Sequence, residues 1–309
     1  MRIFHRFEDF PLDAQNVVLT IGNFDGMHLG HQAIVKRVKS LALSNHGTAA
    51  VISFDNHPSQ VLSPKTPVKS LCTLQHKLSL LEKFGVDILL LLTFNKNLSS
   101  QNAETFLQDL KKTIPFIYLI LGNDAVFGKK REGTPKKIHL LSKKLNFQVE
   151  YLEKRSFDNS NISSTLIRQY IRKGSLKTAE KFLGRKYSIK STIIKGQGKG
   201  KSIGFPTANI DLSNLCLPPL GVYAIYLLHK GTFMPGIANL GLAPTLKNTT
   251  LPTLEIHLFN KKINLYQCEV EVFLESFIRE EKKFDSIEDL KTQITKDISI
   301  AQQLLILDD

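Results

Sequence analysis

Cysteine is scarce in this sequence: Cys72, Cys216 and Cys268 are the three found in 309 residues. They lie far apart, are odd in number and form no CxxC pair. That argues against a disulfide framework or a cysteine zinc site and makes a reducing cytoplasm the expected setting. Long apolar runs are missing as well. The longest, Ile88 to Leu92, reaches only Phe94 through Thr93, too short to cross a bilayer, so no membrane partner is expected. The opening stretch from Met1 to Asp9 carries acidic residues and no apolar core, unlike a secretory signal. Repeats, low-complexity tracts and a long basic tail are absent, as are the GxGxxG dinucleotide fingerprint and an HExxH zinc motif. No nucleic-acid-binding signature is found either, so no nucleic-acid partner is expected.

What remains is the composition of a globular chain, 42% hydrophobic and 22% charged, at a length that fits two domains. A formal charge of +13 suits nucleic acid, an anionic surface or phosphorylated small molecules, and equally a generally basic protein.

From Val17 to Tyr151, short apolar runs alternate with helix-like segments. Strands are expected at 17–21, 50–54, 88–92, 117–121 and 147–149, and helices at 30–43, 74–84, 103–112 and 136–145. Buried strands separated by helices predict a parallel sheet in an α/β, Rossmann-like domain, with ligands beyond the carboxyl ends of the strands. Ser163 and Ser164 supply N-cap material for a further helix, and Leu176 to Leu183 is another, stopped by Gly184. The texture then changes to short strands at 187–194, 221–228, 254–259 and 268–273, broken by Gly and Pro, which predicts a smaller β-barrel domain. A C-terminal helix from Ile287 to Leu305 closes the chain. Ser286 and Asp289 resemble its capping box, and Ile287, Leu290, Ile294 and Ile298 form its expected apolar face. The boundary is expected near Gly184 to Lys186, giving domains 1–185 and 186–309.

Two segments carry chemistry. Gly22-Asn23-Phe24-Asp25-Gly26 leaves the first strand and leads into His28-Leu29-Gly30-His31 at a helix start. Backbone amides and the helix dipole there favour an anion, Gly30 allows close approach of a phosphate, and two histidines can donate hydrogen bonds to a phosphoryl group. The loops Ser53 to Pro58, Gly122-Asn123-Asp124 and Ser163-Ser164-Thr165, with Arg168 beyond, could line the same cleft. The second segment, Lys195 to Ser202, falls short of the P-loop pattern because Lys195 stands where the first glycine belongs and Pro206 follows too soon for a helix. Its glycines Gly196, Gly198 and Gly200, with Lys199 and Lys201 between, still offer amides and positive charge to phosphates. Thr207 and Asn209 then place two oxygen ligands on one face of an extended segment, suited to Mg²⁺ shared with a nucleotide. Glu255, in an apolar strand context, is either a strand-edge surface charge or a general base.

Together these segments resemble the bifunctional prokaryotic riboflavin kinase/FMN adenylyltransferase family, also called FAD synthetases. The carriers are Ile21 to His31, Ile162 to Arg168, Gly204 to Asn209, Gly221-Val222-Tyr223 and Phe284 to Ile294. The resemblance implies a cytoplasmic enzyme, monomeric or a weak homo-oligomer, that phosphorylates riboflavin to FMN and then joins AMP to FMN, giving FAD and pyrophosphate. It uses Mg²⁺, with ATP and flavins as substrates. By similarity, His28 and His31 would stabilise the α-phosphate transition state. Gly22, Asn23, Gly30, Ser164, Thr165 and Arg168 would shape the nucleotide site, and Asp25, His57, Asn123, Asp124 and Arg131 the flavin site. In the kinase, Gly196, Gly198, Lys199 and Gly200 would hold phosphates, Thr207 and Asn209 would organise the metal, and Glu255 would be the base. The chain departs from the family pattern at Ala125 and Val126, where an aromatic and an arginine are usual. It departs again at Ala243, where the family has arginine after an Asn-x-Gly turn, Asn239 to Gly241.

Overall fold

Strands and helices alternate through the first half of the chain, as the apolar runs predict. The computed structural model describes residues 1–154, 156–157, 160–195, 204–212, 214–244, 250–259 and 263–306. The chain groups into two units. The first comprises Met1–Ser70, Lys77–Leu166 and Phe182–Gly184; the second comprises Leu71–His76, Ile167–Lys181 and Arg185–Asp309.

The first unit is built on β1 (Arg2–Phe4), β2 (Val17–Ile21), β3 (Ala49–Phe54), β4 (Ile88–Leu92), β5 (Phe116–Gly122) and β6 (Gln148–Leu152). They form one sheet in the order β1-β4-β3-β2-β5-β6, every pair parallel. β3 and β4 are buried at every residue, which is why they read as unbroken apolar runs rather than alternating ones. Alternate residues nevertheless serve opposite faces. Val17, Leu19, Ile52 and Leu90 join one core, while Val18 and Ile120, and Val51 and Leu89, join cores that do not include them. Helices α1 (Leu29–Ser44) and α3 (Leu74–Lys83) follow, with the single turn α2 (Ser59–Leu62) between them. They cover the second face through Val35, Val38, Leu80 and Leu81. The short α4 (Lys96–Ser100) precedes α5 (Ala103–Thr113), and α6 (Pro135–Lys144) comes after β5. The first face is covered by Phe106, Leu107 and Leu110 of α5 and by Ile138 and Leu141 of α6. The chain runs from β2 outward to β3 and β4 on one side and to β5 and β6 on the other. The order therefore reverses between β2 and β5, the topological switch point at which such sheets bind ligands.

A two-residue pairing of β7 (Ser156–Phe157) with β8 (Ser160–Asn161) leads to α7 (Ser164–Arg172) and α8 (Leu176–Leu183). Ser163 Oγ accepts the Leu166 amide at 3.3 Å, so it acts as the expected cap of α7.

The second unit carries β9 (Ser188–Thr192), β10 (Ala208–Asp211), β11 (Gly221–His229), β12 (Thr232–Pro244), β13 (Thr250–Leu258) and β14 (Glu269–Arg279). The sheet order is β10-β13-β12-β11-β14-β9, all antiparallel. It curls until its two ends meet, the Ile194 amide donating to the Asn209 carbonyl at 2.8 Å. Helix α9 (Ile287–Ile306) packs on it through Ile294, Ile298, Ala301 and Leu305 against Val222, Ala224 and Ile237. Ser286 Oγ accepts the Asp289 amide at 3.1 Å, the expected cap.

Two expectations need correction. Ile287, placed on the apolar face of α9, is 59% exposed at the first residue of that helix. Asn239-Leu240-Gly241, expected as a turn, lies inside β12, paired with β11 and β13. Two prolines and two glycines disguise this thirteen-residue strand. At Gly236 the glycine reflects crowding rather than bending, since a Cβ there would stand 2.4 Å from the His257 carbonyl oxygen.

Candidate functional site

The first cluster forms where β2 gives way to α1. Phe24 takes a left-handed conformation (φ 50°, ψ 33°), and Gly26 and Met27 also have positive φ. Left-handed backbone at non-glycine residues is costly and persists where packing over-determines it; Phe24 and Met27 are both fully buried. The turn ends at His28, the N-cap of α1, whose Nδ1 accepts the His31 amide at 3.3 Å. With Nδ1 an acceptor, a neutral His28 carries its proton on Nε2. The two imidazoles stack, centroids 3.6 Å apart and planes 18° from parallel, and Phe24 meets His31 edge-on. Gly30 eases the stack's approach to the helix, because a Cβ there would crowd the His28 ring at 3.2 Å.

His31 keeps part of its surface open, yet its Nδ1 is sealed and without a hydrogen-bond partner among the described residues. Burial first, then the neighbouring His28 and Lys77, hold its pKa well below the usual histidine range, so it is neutral at neutral pH. The His31 amide is engaged by its cap, which leaves fewer first-turn amides for an anion than an uncapped helix would offer.

The loop is held from two sides. Ser164 Oγ donates to the Asp25 carbonyl at 3.1 Å. On the other side the Asn23 carbonyl accepts from Ser53 Oγ and from Lys77 Nζ, both at 3.2 Å. Gly22, Asn23, Asp25, His28, Gly30, His31 and Ser164 thus form one connected group. Gly122, Asn123 and Asp124 leave the carboxyl end of the adjacent β5; the Asn123 amide donates to the Leu152 carbonyl, and Asp124 pairs with Lys154 at 3.0 Å. His57, just beyond β3, accepts the Ser59 amide on Nδ1. Arg131 and Thr165 are exposed. Arg168 is buried in α7 and groups with the second unit, where its carbonyl lies 3.7 Å from Cys216 Sγ.

In the second unit, the register places Asn209 opposite Glu255 and Glu255 opposite Asn239. Directly opposed residues share a sheet face, so three polar side chains form a row across β10, β13 and β12. β13 has a neighbour on each side, so Glu255 does not lie on a strand edge, and its side chain is exposed. A cavity of roughly 380 Å³ opens on this face, lined by Thr207, Asn239 and Glu255, by Phe205, Val222, Ile237 and Phe284, and by Arg279 and Glu281. Asn239 Nδ2 donates to Glu281 Oε1 at 3.2 Å. Arg279 reaches Asp297 of α9 through Nε and Nη2, the latter at 2.7 Å, and Asp297 is 1% exposed.

The oxygen set of Thr207, Asn209 and Glu255 is of the hard kind that Mg²⁺ prefers. Among the described residues no group of three or more His, Cys, Asp or Glu could hold a metal alone. Gly196, Gly198, Lys199 and Gly200 lie outside the described residues.

Sequence reasoning missed Lys77 in the first cluster, and Asn239, Arg279, Glu281 and Asp297 in the second. Lys77 had a readable signal: it lies three and four residues before Leu80 and Leu81, on the core face of α3, where a lysine is out of place.

A family model described as FAD synthetase matches residues 11–166, and one described as riboflavin kinase matches 183–305. The chain is similar to the bifunctional riboflavin kinase/FMN adenylyltransferase of Haemophilus influenzae, at 39% identity over 93% of this chain and 94% of that one. It is also similar to those of Listeria monocytogenes, at 36% over 91% and 90%, and of Escherichia coli K12, at 32% over 98% and 96%. A solved structure described as a macrolide-efflux protein from Streptococcus pneumoniae has the same fold, with TM-score 0.81, 25% identity and coverage of 97% and 98%. Among the described residues no helix is long and apolar enough to cross a membrane.

Proposed function

The chain belongs to the bifunctional riboflavin kinase/FMN adenylyltransferase family and converts riboflavin to FMN and FMN to FAD with ATP, and we propose that the second unit performs the phosphorylation and the first the adenylylation. The observation that carries this division is that the His28–His31 stack and the Glu255 row lie in different units.

In the kinase, Glu255 takes the proton of the ribityl 5′-hydroxyl as that oxygen bonds to the γ-phosphorus and ADP leaves. Thr207 and Asn209 would hold Mg²⁺, which when bound would neutralise charge on the phosphates. Phe205, Val222, Ile237 and Phe284 present an apolar wall for an isoalloxazine ring. Asn239 and Glu281 form the polar rim beside Glu255.

In the adenylyltransferase, a phosphate oxygen of FMN attacks the α-phosphorus of ATP and pyrophosphate departs. No covalent nucleophile is needed. His28, with its proton on Nε2, and neutral His31 donate hydrogen bonds to the charge that grows on the α-phosphate oxygens. Gly22, Asn23, Ser164 and Thr165 contribute to the nucleotide site; Asp25, His57, Asn123, Asp124 and Arg131 contribute to the flavin site. The carboxyl end of β5 and the positively polarised start of α1 support this reading.

Pure protein incubated with riboflavin, ATP and Mg²⁺, with flavins separated over time, should yield FMN followed by FAD. His31→Ala should slow FAD formation roughly 100-fold or more while FMN formation persists. Glu255→Ala should slow FMN formation by about 100-fold or more and leave FAD synthesis from supplied FMN intact. Loss of both activities in either folded variant would contradict the division.

A further inference from the structure

Lys77 is 7% exposed, on a helix face otherwise given to Leu80 and Leu81. Burying an ammonium is unfavourable unless its hydrogens find acceptors. Here Nζ lies 3.2 Å from the Asn23 carbonyl oxygen, 3.4 Å from Ser53 Oγ and 2.5 Å from the Phe54 carbonyl oxygen. Ser53 Oγ itself donates to the Asn23 carbonyl. One ammonium therefore ties the end of β3 to the first residues of the loop that follows β2. The next residue of that loop, Phe24, is left-handed, and four residues beyond it begins the capped histidine stack. These three acceptors occupy the donors of Lys77, so it is not free to bind a phosphate directly.

We propose that Lys77 is a positioning residue for adenylyl transfer: by fixing the Asn23 carbonyl it sets the path of the Gly22–Met27 loop and so the placement of His28 and His31 against the α-phosphate. The assignment explains why a lysine stands where packing alone favours leucine. A second effect points the same way, since its charge, beside burial and His28, helps keep His31 neutral. An apolar residue would fill the space without holding the loop. Arginine would keep the charge, but its planar fork cannot direct donors at three acceptors grouped around one point.

The proposal rests on the adenylyl-transfer reading of this site. That reading fails separately, if the wild-type chain makes no FAD from FMN. Full-length Lys77→Arg and Lys77→Met are assayed with FMN, ATP and Mg²⁺ for kcat and for the KM of ATP, and with riboflavin for FMN formation in the same molecules. Misplacement of reacting groups by about 1 Å lowers rates on the order of 100-fold. Lys77→Arg is therefore expected to lose ten- to a hundredfold in adenylyl-transfer kcat (about that range), with the ATP KM and FMN formation little changed. Lys77→Met should lose at least as much where it folds. A folded Lys77→Arg with wild-type kcat overturns the assignment. So does a Lys77→Met whose adenylyl transfer falls only in step with its melting temperature and its kinase activity, with Lys77→Arg restoring all three.

Discussion

Two histidines kept neutral chiefly by burial bear on how this chain meets acid. His31 and His76 are both held below the ordinary histidine pKa, His76 to about 3, with burial the leading cause and then the charges of Arg185 and Lys190. His76 Nε2 lies 3.5 Å from Glu271, but with so low a pKa the imidazole is neutral at pH 7 and the contact is not an ion pair. Below about 6.5 the unfolded chain binds protons that the folded chain declines, so stability falls as pH drops from there toward the folded pKa values. For His76 alone the loss at pH 5 relative to pH 7.5 is about 2 kcal/mol. Melting temperatures measured across that interval should therefore fall with acid, and His76→Gln should flatten the slope. An unchanged slope in that variant would remove His76 from the account.

At the scale of elements, the parallel sheet was the most legible part. β4 and α8 match the expected ranges end for end, and α1, α3, α5 and α6 differ by a residue or two, because long apolar periodicity and strong caps fix them. β1 escaped notice since three residues at a sheet edge, mostly exposed, carry no periodic signal. β12 escaped because Pro and Gly read as breakers, whereas pairing on both sides overrides them. Of the candidate site, His28, His31, Thr207 and Asn209 were readable as motifs, and Glu255 only through the family resemblance. Lys77 stood out only as a lysine on a core face; its partners are far away in sequence, as are those within the Arg279–Asp297 pair. That pair fastens α9 to β14, and removing one member leaves the other charge buried. Arg279→Met should cost about 3–5 kcal/mol, read from denaturant unfolding of the kinase unit's signal. Replacing Asp297 by leucine in the same chain should recover most of it; no recovery would mean the ion pair is not the source of the loss.

For the molecule as a whole, the two chemistries need not share one chain. His31→Ala should still release FMN, and Glu255→Ala should still consume it. A mixture of the two variants, given riboflavin, ATP and Mg²⁺, should make FAD with a lag while FMN accumulates in solution. Absence of FAD from the mixture, with each variant competent in its own step, would show that FMN is not released between reactions. The +13 charge fits a molecule that uses ATP in both steps and makes phosphorylated flavins, and such a field raises encounter rates with anions at low ionic strength.

Antiparallel sheets with open borders invite other chains to add strands, a common route into insoluble aggregates. In the second unit β9 and β10 would be those borders, and the Ile194–Asn209 bridge turns them toward each other. The donor and acceptor used there are withdrawn from any incoming chain. Closure of the sheet on itself at that bridge thus removes part of the open border that an added strand would need.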